Sequence, residues 1–160
     1  MSIQHPIPPV YNEESRILIL GSFPSVKSRE YGFFYGHPQN RFWRVIAAVR
    51  GVPVPIAVEE KKALLLSQRI ALWDVIASCE IEGSADSSIS NVIPNDLSDI
   101  LTNTGIRAVF TNGKTADRLF EQHHKNLPLP KRCLPSTSPA NARFSLERLT
   151  EEWSVVNRYL

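Results

Sequence analysis

The side chains best suited to chemistry are concentrated in residues 21–43. This segment begins Gly21-Ser22-Phe23-Pro24-Ser25, directly after an apolar run, and residues 35–43 read YGHPQNRFW. In such a loop, backbone N–H groups and hydroxyls can bind an anion, and aromatic rings can stack on a planar ligand. A nucleobase or nucleotide would suit this patch. The aromatic residues can equally be core, which we favour for Phe42 and Trp43 because they open a predicted helix.

Histidines and cysteines indicate little further chemistry. His5 and His37 are each isolated, and we favour loop-holding hydrogen bonds over proton transfer for His37. His123 and His124 are expected to end an exposed helix. The four histidines have no HxH or HxxxH spacing and there are only two cysteines, so the sequence implies no metal and no cofactor.

The elements that must position these residues begin with short apolar runs. Arg16–Gly21 (RILILG) predicts a strand buried on both faces, and Ile70–Ile76 and Arg107–Asn112 have the same character. Lys131–Ser138 is a weaker fourth strand. Its second half is predicted to be a loop, because Pro135 removes a ladder hydrogen bond.

Helical spacing fills the gaps between these strands. We predict helices over Phe42–Val49, Glu59–Ser67, Thr115–His123 and Ser145–Tyr159. This alternation predicts a three-layer α/β/α sandwich around a central, mainly parallel four-stranded sheet, built as one domain over residues 1–160. Ligands bind such sheets at the carboxyl ends of the strands. The segment Cys79–Asp96 is predicted to be the longest loop.

Bulk properties narrow the class of protein. No apolar run approaches the roughly 20 residues of a membrane helix, and Met1–Pro9 lacks the pattern of a secretory signal. With two cysteines, Cys79 and Cys133, a reducing cytoplasm is expected. The net charge is only +2, so on charge alone we favour a mixed, solvated surface. One basic face remains possible from the residues beside the singled-out segments: Lys27, Arg29, Arg41, Arg44, Lys114, Lys131, Arg132 and Arg143.

Two motifs resemble a known family. GSFPSVKSREYGFFYGHPQNRFWRVI is similar to the first motif of the uracil-DNA glycosylase superfamily, and LPSTSPANARFSLERL is similar to the second. Within the superfamily the sequence most resembles the hypoxanthine-DNA glycosylase branch, from about Arg16 to Trp153. The resemblance implies an enzyme that hydrolytically releases a deaminated base, hypoxanthine first, from DNA and leaves an abasic site. We expect a monomer, because a duplex must reach the strand edges unobstructed.

Catalysis must be placed differently here than in other branches. Phe23 stands where the mismatch-specific relatives carry a catalytic asparagine, and residues 21–29 lack the aspartate of the uracil branch. The hypoxanthine branch has an asparagine in its HPxN stretch. This resemblance implies that Asn40 orients the attacking water.

The resemblance also implies a base pocket. Tyr35 would stack on the flipped base, Asp74 would accept the N1–H of hypoxanthine, and Ser22, Phe23 and Asn112 would complete the pocket. Asp74 can equally be a helix or loop cap. For Asn112 we favour the cap of the helix that begins near Lys114.

In the second motif, Ser136 replaces the histidine or asparagine with which relatives stabilise the departing base. Ser138, Pro139, Ala140 and Asn141 match a loop that binds phosphate and wedges the duplex, and Arg143 would pair with a phosphate. Ser25 is a further predicted DNA contact.

Three other interpretations stay open from the sequence. Uracil has the same carbonyl beside an N–H, so a uracil- or mismatch-specific glycosylase is the first. The unusual Phe23 keeps a non-catalytic nucleic-acid-binding module as the second. A hydrolase of free nucleosides on a similar sheet is the third.

Overall fold

The computed structural model describes residues 2–160 and combines two sheets with six helices in that range. In chain order the elements are β1 (Ile3–Gln4), β2 (Ile17–Gly21), α1 (Val26–Tyr31), α2 (Phe42–Arg50), α3 (Val58–Ser67), β3 (Ile70–Asp74), β4 (Ile76–Glu80), β5 (Ser90–Pro94), α4 (Ser98–Thr102), β6 (Ala108–Asn112), α5 (Lys114–His124), β7 (Lys131–Leu134) and α6 (Leu146–Trp153). Short 3₁₀ helices cover Asp86–Ser88 and Ser154–Tyr159.

The central sheet has four parallel strands in the order β3-β2-β6-β7. This confirms the predicted three-layer α/β fold. Ile17–Leu20 are fully buried because helices cover both faces of β2. Gly21 pairs with Asp74, and Leu20 pairs with Thr111. This register brings the last residues of β2, β3 and β6 to one edge, where the loops that carry the two motifs also begin.

A second sheet was not predicted. β1, β4 and β5 form an antiparallel sheet in the order β1-β4-β5. The predicted strand Ile70–Ile76 is therefore wrong at its end, because the chain leaves the central sheet at Val75 and Ile76 begins β4. The predicted long loop Cys79–Asp96 is also wrong, since it contains the end of β4 and all of β5. Only residues 81–89 connect those two strands.

The helices largely follow the prediction. α2, α3 and α5 lie where the periodicity places them, while the helix predicted to Tyr159 ends at Trp153 and continues as a 3₁₀ turn. Ser145 caps α6 by accepting the Arg148 N–H at 3.1 Å. α1 and α4 were missed because each is too short to show a period. None of the helices within residues 2–160 is long and apolar enough to cross a membrane.

Two apolar cores lie on opposite faces of the central sheet. Phe42, Trp43 and Trp153 pack in one of them with Phe33 and Phe34. The interpretation of Phe42 and Trp43 as core is confirmed, and it extends to both phenylalanines. The first motif therefore anchors its loop in the core through aromatic residues and leaves its polar residues for the sheet edge.

Candidate active site

A cavity of about 490 Å³ opens at the carboxyl edge of the central sheet. Its walls come from the loop after β2, the HPQN stretch before α2, the loop between β4 and β5, and the loop after β7. Of the thirteen site residues predicted from the sequence, eleven line it: Ser22, Phe23, Ser25, Tyr35, Asn40, Asp74, Asn112, Ser136, Ser138, Pro139 and Ala140. Residues from both motifs thus share one ring-sized space.

Asn141 and Arg143 do not line the cavity. The Asn141 amide donates to the Ser136 carbonyl at 2.9 Å and so holds the loop in shape. Arg143 is exposed beyond the cavity. Pro139 and Ala140 are exposed at its mouth, which is where a wedge would have to meet a duplex.

Asn40 is held by a side chain that sequence reasoning missed. Its Oδ1 accepts the Phe42 N–H at 2.9 Å and the Thr137 hydroxyl at 2.9 Å. A backbone N–H can only donate, so this contact fixes which end of the amide is oxygen. Both lone pairs of Oδ1 are then occupied. The Nδ2 amino group makes no hydrogen bond within residues 2–160 and is the end of Asn40 left for a ligand.

Thr137 joins Asn40 to Asn112. The fully buried Thr137 donates its N–H to Asn112 Oδ1 at 3.1 Å, and its Oγ1 accepts from Asn112 Nδ2 at 3.1 Å. The interpretation of Asn112 as a helix cap is therefore wrong, since Gly113 occupies the cap position of α5 without a side-chain bond. Two amides and one hydroxyl form a single network across the two motifs.

Asp74 is not a cap either. Its Oδ2 accepts from His5 Nε2 at 2.8 Å, and the side chains of His5 and Asp74 are 3 % and 5 % exposed. A Cβ on Gly21 would lie 2.4 Å from Asp74 Oδ1 and 2.9 Å from the Tyr35 hydroxyl. Only glycine therefore allows both groups to approach the end of β2. His5, which the sequence analysis left without a role, lies in the site.

Tyr35 is constrained on several sides. Its φ of 53° is left-handed, a conformation that bulky residues rarely adopt and that persists only where the surroundings impose it. The ring stacks on Phe42 at 4.2 Å between centroids, so a base could stack only on its other face. The hydroxyl is buried without a hydrogen bond in the described part of the chain. Burial and then the charge of Asp74 raise the pKa of Tyr35, against a smaller opposing effect of Asn112, so the phenol stays protonated.

The loop at residues 81–89 supplies a carboxylate that the sequence analysis did not single out. Asp86 lines the cavity and accepts from the Ser22 hydroxyl at 3.4 Å. Partial desolvation raises the pKa of Asp86, although Thr115 and Ser22 bond to it. The loop is tied to α1, since Ser84 accepts the Val26 N–H at 2.9 Å. Nothing in the local sequence marks Asp86 as a pocket residue, because it lies 64 positions from Ser22.

Two of the predicted basic residues are engaged within the fold. Arg41 donates to the carbonyls of Ser138, Asn141 and Phe144 and so braces the second motif against the first. Lys131 pairs with carboxylates at 2.7 Å. These two side chains stabilise the fold. Fewer of the predicted basic residues are therefore available to contact phosphate.

His37 holds its own loop. Its Nδ1 accepts the Gln39 N–H at 3.1 Å and its carbonyl accepts the Asn40 N–H at 3.0 Å. This agrees with the loop-holding interpretation. Its ring lines the cavity beside Asn40.

The fold and the site define a class. The model of the uracil DNA glycosylase superfamily matches residues 8–160, and the chain belongs to this superfamily. It is similar to the hypoxanthine DNA glycosylase of Methanosarcina acetivorans, with 37% identity over 159 residues that cover 98% of this chain and 99% of that protein. The protein of the same name from Methanosarcina barkeri is 33% identical over 151 residues, 92% of this chain and 93% of its own.

A solved structure has the same fold. The solution NMR structure of a Methanosarcina acetivorans protein, described as a uracil DNA glycosylase, superimposes with a TM-score of 0.84 at 37% identity. The match covers 99% of this chain and 98% of that one.

Proposed function

We propose that this protein is a monofunctional DNA glycosylase that releases hypoxanthine from DNA by hydrolysis and leaves an abasic site. The observation that carries the proposal is the cavity at the sheet edge, where Asn40 and Asp74 from separate segments face one ring-sized space. Both named Methanosarcina relatives are hypoxanthine DNA glycosylases.

A base in a duplex must leave the stack to reach this cavity. Extrusion costs a few kcal/mol, which stacking and phosphate contacts offset. Tyr35 offers the open face of its ring to the base, Phe23 and Ser22 border it, and Ser25 and Ser138 offer hydroxyls to the backbone. Pro139 and Ala140, exposed at the mouth, take the space vacated in the duplex.

Base release then needs water and a stabilised sugar cation. The free Nδ2 of Asn40 holds the water by its oxygen, so Asn40 positions the nucleophile but does not take its proton. The glycosidic electron pair leaves with the base, water adds to the oxocarbenium-like sugar, and the proton that the water loses neutralises the departing base anion, so a strong base on the protein is unnecessary. No lysine lines the cavity within residues 2–160, which favours hydrolysis over a Schiff base and strand cleavage.

The setting proposed for this activity is a monomer of one domain in a reducing cytoplasm. A duplex has to reach the open sheet edge, and a monomer leaves that edge clear. The two cysteines, buried Cys79 and exposed Cys133, are unpaired.

A set of oligonucleotide duplexes tests the proposal. Each carries one hypoxanthine, uracil or normal base, is incubated with the protein and is then cleaved with alkali at abasic sites. We expect cleavage at hypoxanthine above all others. Stronger cleavage at uracil would mean that uracil is the preferred substrate. No cleavage of any duplex would show that the protein is not a glycosylase.

A further inference from the structure

The most unusual feature of the site outside the two motifs is a buried histidine from the N-terminal segment. His5 lies 69 positions from Asp74 in sequence, yet its ring is 3 % exposed and contacts the carboxylate that borders the cavity. We propose that His5 is a positioning residue for base recognition, which fixes the Asp74 carboxylate so that Oδ1 accepts the N–H of a lactam base. This inference rests on the proposed function and adds a specificity-determining residue to it.

The hydrogen bonds define the protonation of His5. The Ile7 backbone N–H, which can only donate, points to Nδ1 at 3.2 Å, so Nδ1 carries no proton. The ring is then neutral with its proton on Nε2, and Nε2–H donates to Asp74 Oδ2 at 2.8 Å. A donor held in this way orients a carboxylate, as the partners of metal-binding histidines orient those rings.

The His5 ring itself has little freedom. It packs edge-on against Phe23 at 5.8 Å and against Trp73 at 6.3 Å between centroids. Its backbone N–H donates to Ala77 at 2.8 Å, where the chain leaves β1. Strand pairing and aromatic packing together hold the donor in place, and its hydrogen bond restrains the Asp74 carboxylate in turn.

With Oδ2 bound to His5, Oδ1 is the oxygen of Asp74 beside Gly21 and near the Tyr35 hydroxyl. The site then presents one fixed acceptor, beside the buried Tyr35 hydroxyl. A lactam such as hypoxanthine presents the complement of that acceptor, an N1–H donor. Adenine presents an N1 lone pair in the place of the N1–H, and this lone pair would face the carboxylate with the wrong polarity.

Binding of duplexes with a 2′-fluoro sugar, which resist base release, isolates recognition from chemistry. One duplex carries hypoxanthine, and the other carries unsubstituted purine, which lacks both N1–H and O6. The readout is the ratio of the two dissociation constants for wild type, His5→Gln and His5→Asn. The glutamine amide nitrogen can take the place of Nε2, whereas the asparagine amide reaches only the place of Nδ1. Gln4→Ala, at the exposed neighbour of His5, is the matched control.

We expect wild type to prefer hypoxanthine, and His5→Asn to lose about 10-fold of that preference, the size of one hydrogen bond to a charged group. His5→Gln and Gln4→Ala should stay within about threefold of wild type. Because His5 acts through Asp74, the double variant His5→Asn, Asp74→Ala should show the same ratio as Asp74→Ala alone.

Equal ratios in wild type and His5→Asn, or independent effects of the two substitutions, would overturn the role of His5. The proposed function fails separately. It is rejected if wild type releases no base from an unmodified hypoxanthine duplex, whatever the binding ratios are.

Discussion

Replacing Thr137 with valine should disable the site with little change in shape. The substitution keeps the branched shape of this fully buried side chain and replaces its hydroxyl with a methyl group. The bond to Asn40 Oδ1 at 2.9 Å and the bond from Asn112 Nδ2 at 3.1 Å are lost. Asn40 then keeps only the Phe42 N–H as a restraint.

Two effects of different size follow. The loss of two ordinary hydrogen bonds lowers the free energy of unfolding by about 1 to 3 kcal/mol, and each kcal/mol lowers the melting temperature by about 2 to 4 °C for a chain of this size. The protein therefore stays folded at 25 °C. A shift of Asn40 by about 1 Å lowers the rate of base release by about 100-fold, far more than a small unfolded fraction can explain.

The assay is single-turnover release of hypoxanthine from a duplex at 25 °C, together with thermal unfolding. Thr137→Ser retains the hydroxyl and is the matched control, with a rate near that of wild type. A Thr137→Val variant as fast as wild type would refute the inferred network. A Thr137→Ser variant as slow as Thr137→Val would show that the methyl group, not the hydroxyl, matters.

Three further predictions concern the cavity wall. Gly21→Ala places a Cβ 2.4 Å from Asp74 Oδ1, so base release should fall at least about 10-fold while circular dichroism stays unchanged; normal release would show that the carboxylate is not needed where it lies. Because the pKa of Tyr35 is raised by burial and by Asp74, the tyrosinate absorbance should titrate equally in wild type and Tyr35→Phe up to about pH 11, and a smaller amplitude in the variant would contradict this. The raised pKa of Asp86 means that folding disfavours the charged form of this carboxyl. The charge therefore lowers the free energy of unfolding above the folded pKa, and this effect disappears below the ordinary value of 3.8. Asp86→Asn should therefore raise the melting temperature at neutral pH, with a gain that shrinks toward that value, whereas a gain independent of pH would refute the sign.

The central sheet could be predicted because its strands are short continuous apolar runs that end at glycine or a polar residue. The second sheet could not be predicted. β5 reads SNVIP and has no buried residue, so the sequence shows no apolar run there and only pairing with β4 makes it a strand. The boundary at Val75 is hidden because Val75 and Ile76 are as apolar and as buried as the residues of β3.

Within the site, the motif residues could be predicted but their hydrogen bonds could not. Local sequence favours a helix cap for the pocket candidate Asn112, whereas Thr137, 25 positions away, binds its amide. His5 and Asp86 carry no local signal, since β1 of the second sheet brings His5 to Asp74 and the loop after β4 brings Asp86 to the cavity. Contacts between residues so far apart in the chain leave no periodic pattern in the sequence.

The most direct test of the account measures hypoxanthine release by Asn40→Asp and Asn40→Ala in single-turnover reactions, with binding to a 2′-fluoro hypoxanthine duplex measured beside them. The carboxylate introduced by Asn40→Asp would keep an oxygen acceptor for Phe42 and Thr137 but present no N–H to water. If Asn40 holds the nucleophile through Nδ2, both variants lose at least about 100-fold in rate and bind the duplex within about threefold of wild type. An Asn40→Asp variant that releases the base as fast as wild type, or rate losses matched by equal losses of binding, would contradict the account.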